Sequence, residues 1–391
     1  MPRPYDIVLF GATGFVGELT ARYLAAHAPE DCRWALAGRS PAKLERLRER
    51  LAGTNPACAA LPLLRADSDD PASLRELARS TRVLASTVGP YLQYGEGLVA
   101  ACAEAGTDYA DLCGEPEFLD RMYVAYDAVA RRSGSRMVHA CGFDSVPHDL
   151  GAYFTVRQLP EGVPLRVDGY VRTGARFSGG TFASALGAMG RGRQMMRAAQ
   201  ERRAVEPRPE GGRRVRAPFG APHRSGELSA WALPLPTLDA QVVQRSAAAL
   251  ERYGPDFRYR HFAAVKWLPV AVGGALAAGS VVAAAQVPAV RRRLGALFAP
   301  GTGPDEARRA KSWFTVRFVG EGGGQRVFTE VSGGDPGYGE TAKILAESLL
   351  CLAFDELPKA AGQVTPVVAM GDALLERLQE AGIRFRVAAV R

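Results

Sequence analysis

Gly11, Gly14 and Gly17 follow one another at three-residue spacing, with Ala12, Thr13, Phe15 and Val16 between them. Glycines in this pattern do one kind of chemistry without a reactive side chain: they bring backbone N–H groups up to a phosphate. The first can take turn dihedrals closed to other residues. The second lets the chain approach a pyrophosphate, and the third lets a helix pack closely on the strand before it. The helix N-terminus then offers unpaired N–H groups and partial positive charge. Gly11, Thr13, Gly14, Phe15, Val16 and Gly17 are therefore the candidate residues for holding a dinucleotide. A purely structural glycine turn is the competing reading.

The elements around this turn support the first reading. Ile7 to Phe10 are apolar without a break, as in a strand buried on both faces. Phe15, Val16, Leu19 and Leu24 follow with helical spacing. A second strand, Trp34 to Ala37, ends in Gly38-Arg39-Ser40-Pro41. A site for NAD usually places a carboxylate at that strand end, to bind the ribose hydroxyls. Here Arg39 stands there, with Ser40 as a helix cap and Lys43 one turn on, which suits a 2′-phosphate and predicts NADP. A solvated arginine at a helix start is the alternative. Leu61 to Leu64 predicts a third strand, with Asp67 beyond it facing either adenine or a surface turn.

Val83 to Val88 predicts a fourth strand, ending at Gly89-Pro90-Tyr91. Ligands of open α/β sheets sit at such strand ends. Tyr109 to Leu112 and Met137 to Ala140 read as the fifth and sixth strands, and Gly142 to Asp149 as the turn that follows. The alternation predicts a Rossmann-type, doubly wound parallel sheet over residues 1–150. Beyond it the pattern changes to an α+β domain on an antiparallel sheet, over 151–338, and then to C-terminal helices and a strand, over 339–391. Leu165 to Arg172, Leu228 to Leu235 and Arg258 to Val265 are strand candidates. Ser312 to Val319 and Arg326 to Val331 form a hairpin around a glycine-rich turn. Phe177 to Thr181 lead into a helix reaching about Gln200. Residues 191–224, rich in arginine, read as a basic surface loop.

Composition is that of a globular chain: 391 residues, 47% hydrophobic and 23% charged. That excludes a disordered or fibrous protein. None of the six cysteines lies in a C-x-x-C pair or at zinc spacing, which predicts free thiols in a reducing cytoplasm and no metal centre. No signal peptide is read before the first strand. The net charge of +8 comes almost wholly from arginine and is not read as nucleic-acid binding. No charged residue occurs from Trp267 to Val290, and Arg291, Arg292 and Arg293 follow directly. Prolines and glycines make this stretch a poor membrane span. A buried or loop-like segment, a segment lying on an anionic membrane surface, on the inner face of the plasma membrane, and a true span are the three alternatives.

The opening Gly11-Ala-Thr-Gly-Phe-Val-Gly17 resembles the saccharopine dehydrogenase-like oxidoreductases. So do Ala37-Gly-Arg-Ser40, Gly142-Phe-Asp-Ser-Val-Pro147 and Gly333-Gly-Asp-Pro-Gly-Tyr-Gly339. Within them the chain is most similar to the bacterial trans-acting enoyl reductases. The similarity extends to Val364-Thr-Pro366 and Met370-Gly-Asp-Ala373. It implies NADPH-dependent reduction of a carbon–carbon double bond in a polyketide- or fatty-acyl thioester, carried on CoA or an acyl carrier protein. A homodimer is left open. Two rival functions stand beside it: a saccharopine-type amino-acid dehydrogenase, and a lipid-associated protein with a non-catalytic nucleotide fold.

Enoyl reduction needs a positioned nicotinamide, hydrogen-bond donors at the thioester oxygen, and a proton for the α-carbon. The candidates at strand ends are Tyr91, Tyr94 and His148 for catalysis, and Gly89 for the cofactor. Ser145, Gly334 and Tyr338 are the candidates for substrate. Each has a plainer alternative in packing, capping or loop structure. Asp144 reads as a turn residue.

Overall fold

The computed structural model describes residues 3–174, 190–270, 273 and 305–391. Strand β1 (Tyr5–Phe10) carries Ile7 and Leu9 into one core and Val8 and Phe10 into another, all essentially without exposure. Both faces of the strand are therefore covered, as its unbroken apolar run requires. The glycine turn leads into α1 (Phe15–His27), followed by β2 (Trp34–Gly38), α2 (Pro41–Ala52), β3 (Leu63–Arg65), α3 (Pro71–Ser80) and β4 (Thr81–Ser86). A single helical turn α4 (Tyr91–Tyr94), α5 (Glu96–Ala105), β5 (Asp108–Asp111), α6 (Pro116–Ser133) and β6 (Arg136–Val138) complete the alternation.

All these strands pair in parallel. Leu9 lies across from Leu36 of β2 and from Ala85 of β4. The order runs β3-β2-β1-β4-β5-β6, so the chain reverses direction between β1 and β4. A crevice for a ligand opens at such a reversal, outside the strand C-termini. Helix α7 (Val146–Val156) leaves the sheet after β6 and packs on a second sheet. Gly151 allows that contact, because a Cβ there would stand 2.3 Å from the Phe318 ring.

The second sheet begins with β7 (Leu165–Thr173). After α8 (Gly192–Val205) come β8 (Arg214–Arg216), β9 (His223–Ser225), β10 (Ala230–Pro234), α9 (Asp239–Ala249) and β11 (Asp256–Val265). The hairpin of β12 (Phe314–Gly322) and β13 (Gln325–Gly333) pairs in register from Phe314 and Gly333 to Gly322 and Gln325. Helix α10 (Gly339–Phe354) then packs on α1, where the Tyr23 hydroxyl donates to Glu347 at 2.7 Å. Strand β14 (Gly362–Val364) adds a seventh parallel strand beside β6. Helix α11 (Pro366–Glu380) is capped by Thr365, and β15 (Arg384–Val390) joins the second sheet beside β13.

Three readings of the sequence change. The second sheet is mixed, because β11 runs parallel to both β7 and β8; the long connection through α8 and α9 supplies the crossover that a parallel pair needs. The arginine-rich stretch is a helix and two short strands. Its arginines hold structure: Arg202 of α8 is buried and donates to Asp120 at 2.6 Å, and Arg213 donates to the carbonyls of Ala247 and Leu250 at 2.7 Å. Residues Gly362 to Val364 are too few to show a strand period, yet they extend the first sheet.

Phe177 to Thr181 lie outside the described residues, as does Trp267 to Val290 beyond 267–270 and 273. Trp267, Leu268 and Val270 are exposed. Among the described residues no helix is long and apolar enough to cross a membrane.

Candidate active site

The glycine turn closes on itself tightly. Gly11 has φ +84°, and a Cβ there would stand 2.7 Å from both Thr87 Oγ1 and Val88 Cγ2. The Thr87 hydroxyl donates to the Gly11 carbonyl at 3.0 Å, which ties the turn to the end of β4. At Gly17 a Cβ would fall 2.2 Å from the Gly11 carbonyl oxygen, so this glycine is what lets α1 rise against β1. Gly14 is the exposed member and caps α1 without a side chain. It leaves the first-turn N–H groups, around Phe15 and Val16, open to the crevice. A pyrophosphate fits this cradle by shape and by charge.

Arg39 follows the last residue of β2 and is exposed, as is Lys43 on α2. Ser40 is the cap residue of α2 with Pro41 in its first turn, but its side chain makes no capping bond. Thr13 reaches this region: its Oγ1 lies 4.0 Å from where a Gly38 Cβ would stand. Thr13 thus stands near the strand end that carries Arg39 and Ser40. Asp67 spends one carboxylate oxygen on the Asp69 amide at 3.2 Å, and its own amide donates to Ser73.

Gly89 is exposed beyond β4 and is joined to Pro90 by a cis peptide bond. Tyr91 is buried. Its hydroxyl donates to the Ser86 carbonyl at 3.0 Å and accepts from the Leu112 amide at 3.1 Å. The Glu115 carboxylate caps α4 by accepting from the amides of Tyr91 and Leu92 at 2.9 and 3.1 Å. Tyr94, half-buried, ends the same turn. Deeper, Asp111 accepts from the amides of Cys113 and Ala140 and from His139, whose other nitrogen meets Gln363 of β14 at 2.8 Å. That network stiffens the strand ends beneath the crevice.

The turn after β6 brings the titratable groups. Asp144 is half-buried, and its Oδ2 lies 3.3 Å from where a Gly114 Cβ would stand, so it leans over the loop after β5. Burial, and then the neighbouring Asp239 carboxylate, push its carboxyl up to about 7. Ser145 is fully buried, and its hydroxyl has no partner among the described residues. His148 packs edge to face on Phe143, with centroids 5.4 Å apart, and stands against Asp239 of α9 and His261 of β11. Burial lowers His148 to about 3 and His261 to about 4, so both rings are neutral at physiological pH. Asp239 and His261 escape sequence reasoning because no local motif marks them; one comes from helix α9 and the other from strand β11 of the second sheet.

The second glycine loop stands at the other side of α1. Its amides are already engaged: Gly334 N–H donates to Glu340 at 3.1 Å and Gly339 N–H to Asp335 at 3.0 Å. With Asp335 on the α10 N-terminus, that helix end is supplied with negative charge by its own chain. Tyr338 is buried, with its ring against Phe15 of the first glycine turn. The Thr341 hydroxyl accepts from the Phe143 amide at 3.1 Å and so joins this loop to the turn that carries Asp144.

A parallel sheet of this order, with a glycine cradle at its reversal point and arginine at the end of β2, defines an NADP-dependent oxidoreductase. Residues 7–138 match the family model of the saccharopine dehydrogenase NADP binding domain. The chain belongs to the saccharopine dehydrogenase-like family, in the branch of the trans-acting enoyl reductases. A Mycobacterium tuberculosis protein provisionally named a trans-acting enoyl reductase is 39% identical, with 98% of each chain covered. Two proteins named trans-acting enoyl reductase, from M. tuberculosis and Mycobacterium ulcerans, are 37% and 35% identical over 97% of each chain. The saccharopine dehydrogenase (L-Glu forming) of Saccharomyces cerevisiae shares the fold, with a TM-score of 0.57, 12% identity and coverage of 98% of this chain and 100% of that one.

Proposed function

We propose that the protein is an NADPH-dependent, trans-acting enoyl reductase that reduces a carbon–carbon double bond in a fatty-acyl or polyketide thioester made by a separate synthase. The observation that carries this reading is relatedness along nearly the whole of both chains, second sheet included, rather than in the nucleotide domain alone. Residues 1–150 are assigned to the cofactor, 151–338 to the substrate, and 339–391 to the elements that close over both.

NADPH supplies the hydride for the β-carbon. Gly11, Thr13, Gly14, Phe15, Val16 and Gly17 would hold the pyrophosphate, Arg39, Ser40 and Lys43 the 2′-phosphate, and Gly89 is assigned to the cofactor as well. Asp144 is assigned the proton for the α-carbon: it reaches over the strand ends, and its carboxyl keeps a proton near neutrality. Tyr94 is assigned to the thioester oxygen, as a hydrogen-bond donor where negative charge develops. Tyr91 is not given that role, because its hydroxyl is committed to backbone. Ser145 and Tyr338 are assigned to the wall that meets the acyl chain.

A lipid-like substrate also fits contact with an anionic membrane surface through 267–290. Co-sedimentation with anionic vesicles at low salt tests that part alone. The main test is NADPH oxidation by the purified protein with enoyl thioesters on CoA and on acyl carrier protein, against imino acids as rivals. Turnover of enoyl thioesters, lost in Asp144→Asn while NADPH still binds, is the expected result. Turnover of imino acids alone would overturn the reading.

A further inference from the structure

His148, Asp239 and His261 approach from three elements, the first turn of α7, the first residue of α9 and the middle of β11. All three are buried. His148 Nδ1 lies 3.0 Å from Asp239 Oδ1, and His261 Nε2 lies 3.4 Å from Asp239 Oδ2. One donor atom from each of the three residues falls within 4.8 Å of the other two. Donor atoms around a tetrahedral zinc ion, with bonds of about 2.0–2.2 Å, stand roughly 3.3 Å from one another, so the cluster is nearly at ligation spacing.

We propose that His148, Asp239 and His261 form a binding site for one divalent transition-metal ion of the zinc class. Four observations converge on it. First, hydrogen bonds do not account for the approach. Both ring nitrogens of His148 and Asp239 Oδ1 are buried with no hydrogen-bond partner among the described residues, although Nδ1 stands 3.0 Å from that oxygen. Buried polar atoms left in that state are costly and call for an explanation.

Second, the charge is unbalanced. Asp239 is a buried carboxylate that, among the described residues, no lysine or arginine pairs with. A divalent cation balances this site. Third, the rings are held in place by packing: His148 stands edge to face on Phe143 and on His261, with centroids 5.4 and 4.9 Å away.

Fourth, an outer partner is in place. The Tyr259 hydroxyl lies 3.0 Å from His261 Nδ1, which orients the ring and leaves Nε2 to face Asp239. Ligating histidines usually hold their second nitrogen in this way. Two imidazoles and one carboxylate suit zinc, cobalt or ferrous iron. Calcium and magnesium prefer more oxygen ligands. The site would pin α7, which leaves the first sheet, to α9 and β11 of the second.

The test uses the full chain, stripped with a chelator, dialysed, and titrated separately with Zn2+ and Co2+. The expected result is binding of about one equivalent, a rise in Tm with added Zn2+, and visible ligand-field bands of four-coordinate Co2+ without thiolate charge transfer. Asp239→Asn and His261→Gln should each weaken binding by at least about tenfold. NADPH affinity reports whether those variants remain folded, and His27→Gln, on the exposed end of α1, should bind as the wild type does. Three results would overturn the proposal: failure of the wild type to take up either metal, thiolate bands in the Co2+ form, or wild-type affinity in both folded variants. If neither variant folds, the Co2+ spectrum of the wild type decides alone.

Discussion

Phe15 and Tyr338 meet edge to face, with ring centroids 4.8 Å apart and planes at 77°. One begins α1 just after the first glycine turn; the other precedes α10 at the end of the second glycine loop. Arg309 lies over the Phe15 ring, 5.6 Å from its centroid. The loop that sequence reasoning assigned to substrate thus packs on the first residue of α1, beside the glycine turn. An aromatic pair of this kind contributes about 0.5–1.5 kcal/mol beyond its buried area. Tyr338→Ala should weaken NADPH binding by roughly two- to tenfold, and Tyr338→Phe, which keeps the ring contact, by less. Fluorescence titration of NADPH measures both, and equal affinity of all three proteins would refute a bracing role.

Arg39 should set the cofactor preference. It is exposed at the end of β2, where a carboxylate would select NAD. A charge-assisted contact to the 2′-phosphate is worth about 1.5–3 kcal/mol, or roughly one to two decades in affinity. The wild type should therefore bind NADPH at least about tenfold more tightly than NADH, and Arg39→Ala should erase most of the difference. Calorimetric titration with both cofactors checks it.

The second and third glycines of the turn should fail in different ways. At Gly14 a Cβ would stand 3.3 Å from the Gly11 carbonyl, so Gly14→Val should leave the protein folded but remove cofactor binding. At Gly17 the same atom would be 2.2 Å away, an overlap that α1 can relieve only by moving off β1. Gly17→Ala should lower Tm as well as cofactor affinity. Thermal unfolding followed by circular dichroism separates the two outcomes.

Glu330 should make the second sheet sensitive to acid. Its buried carboxylate accepts from Arg317 on β12 at 2.7 Å and from Arg386 on β15 at 2.7 Å. Burial alone would raise its pKa; the hydrogen bonds from Arg317 and Arg386 outweigh that and hold it below the usual 4.5. A lowered folded-state pKa gives stability that is present above 4.5 and is lost as pH falls through the folded value. Both arginines are well exposed, so the contribution is only about 1 kcal/mol. Wild type should exceed Glu330→Gln in stability at pH 7 and lose that margin in acid. Urea unfolding across this range gives the comparison.

Local chemistry made much of the molecule legible. The apolar run of β1, the glycine turn and the periodicity of α1 are short-range signals, because burial on both faces, positive φ and helix packing each leave a mark on neighbouring residues. Arg39 at the end of β2 was readable for the same reason, as were α10, α11, β15 and the β12–β13 hairpin. The two-part architecture of a parallel sheet followed by a second sheet was readable from the change in pattern near residue 150.

Long-range pairing decided the rest. The three residues of β14 carry no period, and only the open edge of β6 makes them a strand. The parallel placement of β11 beside β7 depends on where the intervening helices pack, which no single stretch encodes. Asp239 and His261 stand in unremarkable local sequence, and only the folding of α9 and β11 against α7 brings them to His148. The same burial sets their protonation, because removing water from a carboxyl or an imidazole shifts its charge equilibrium, and the sequence alone does not say which groups lose their water.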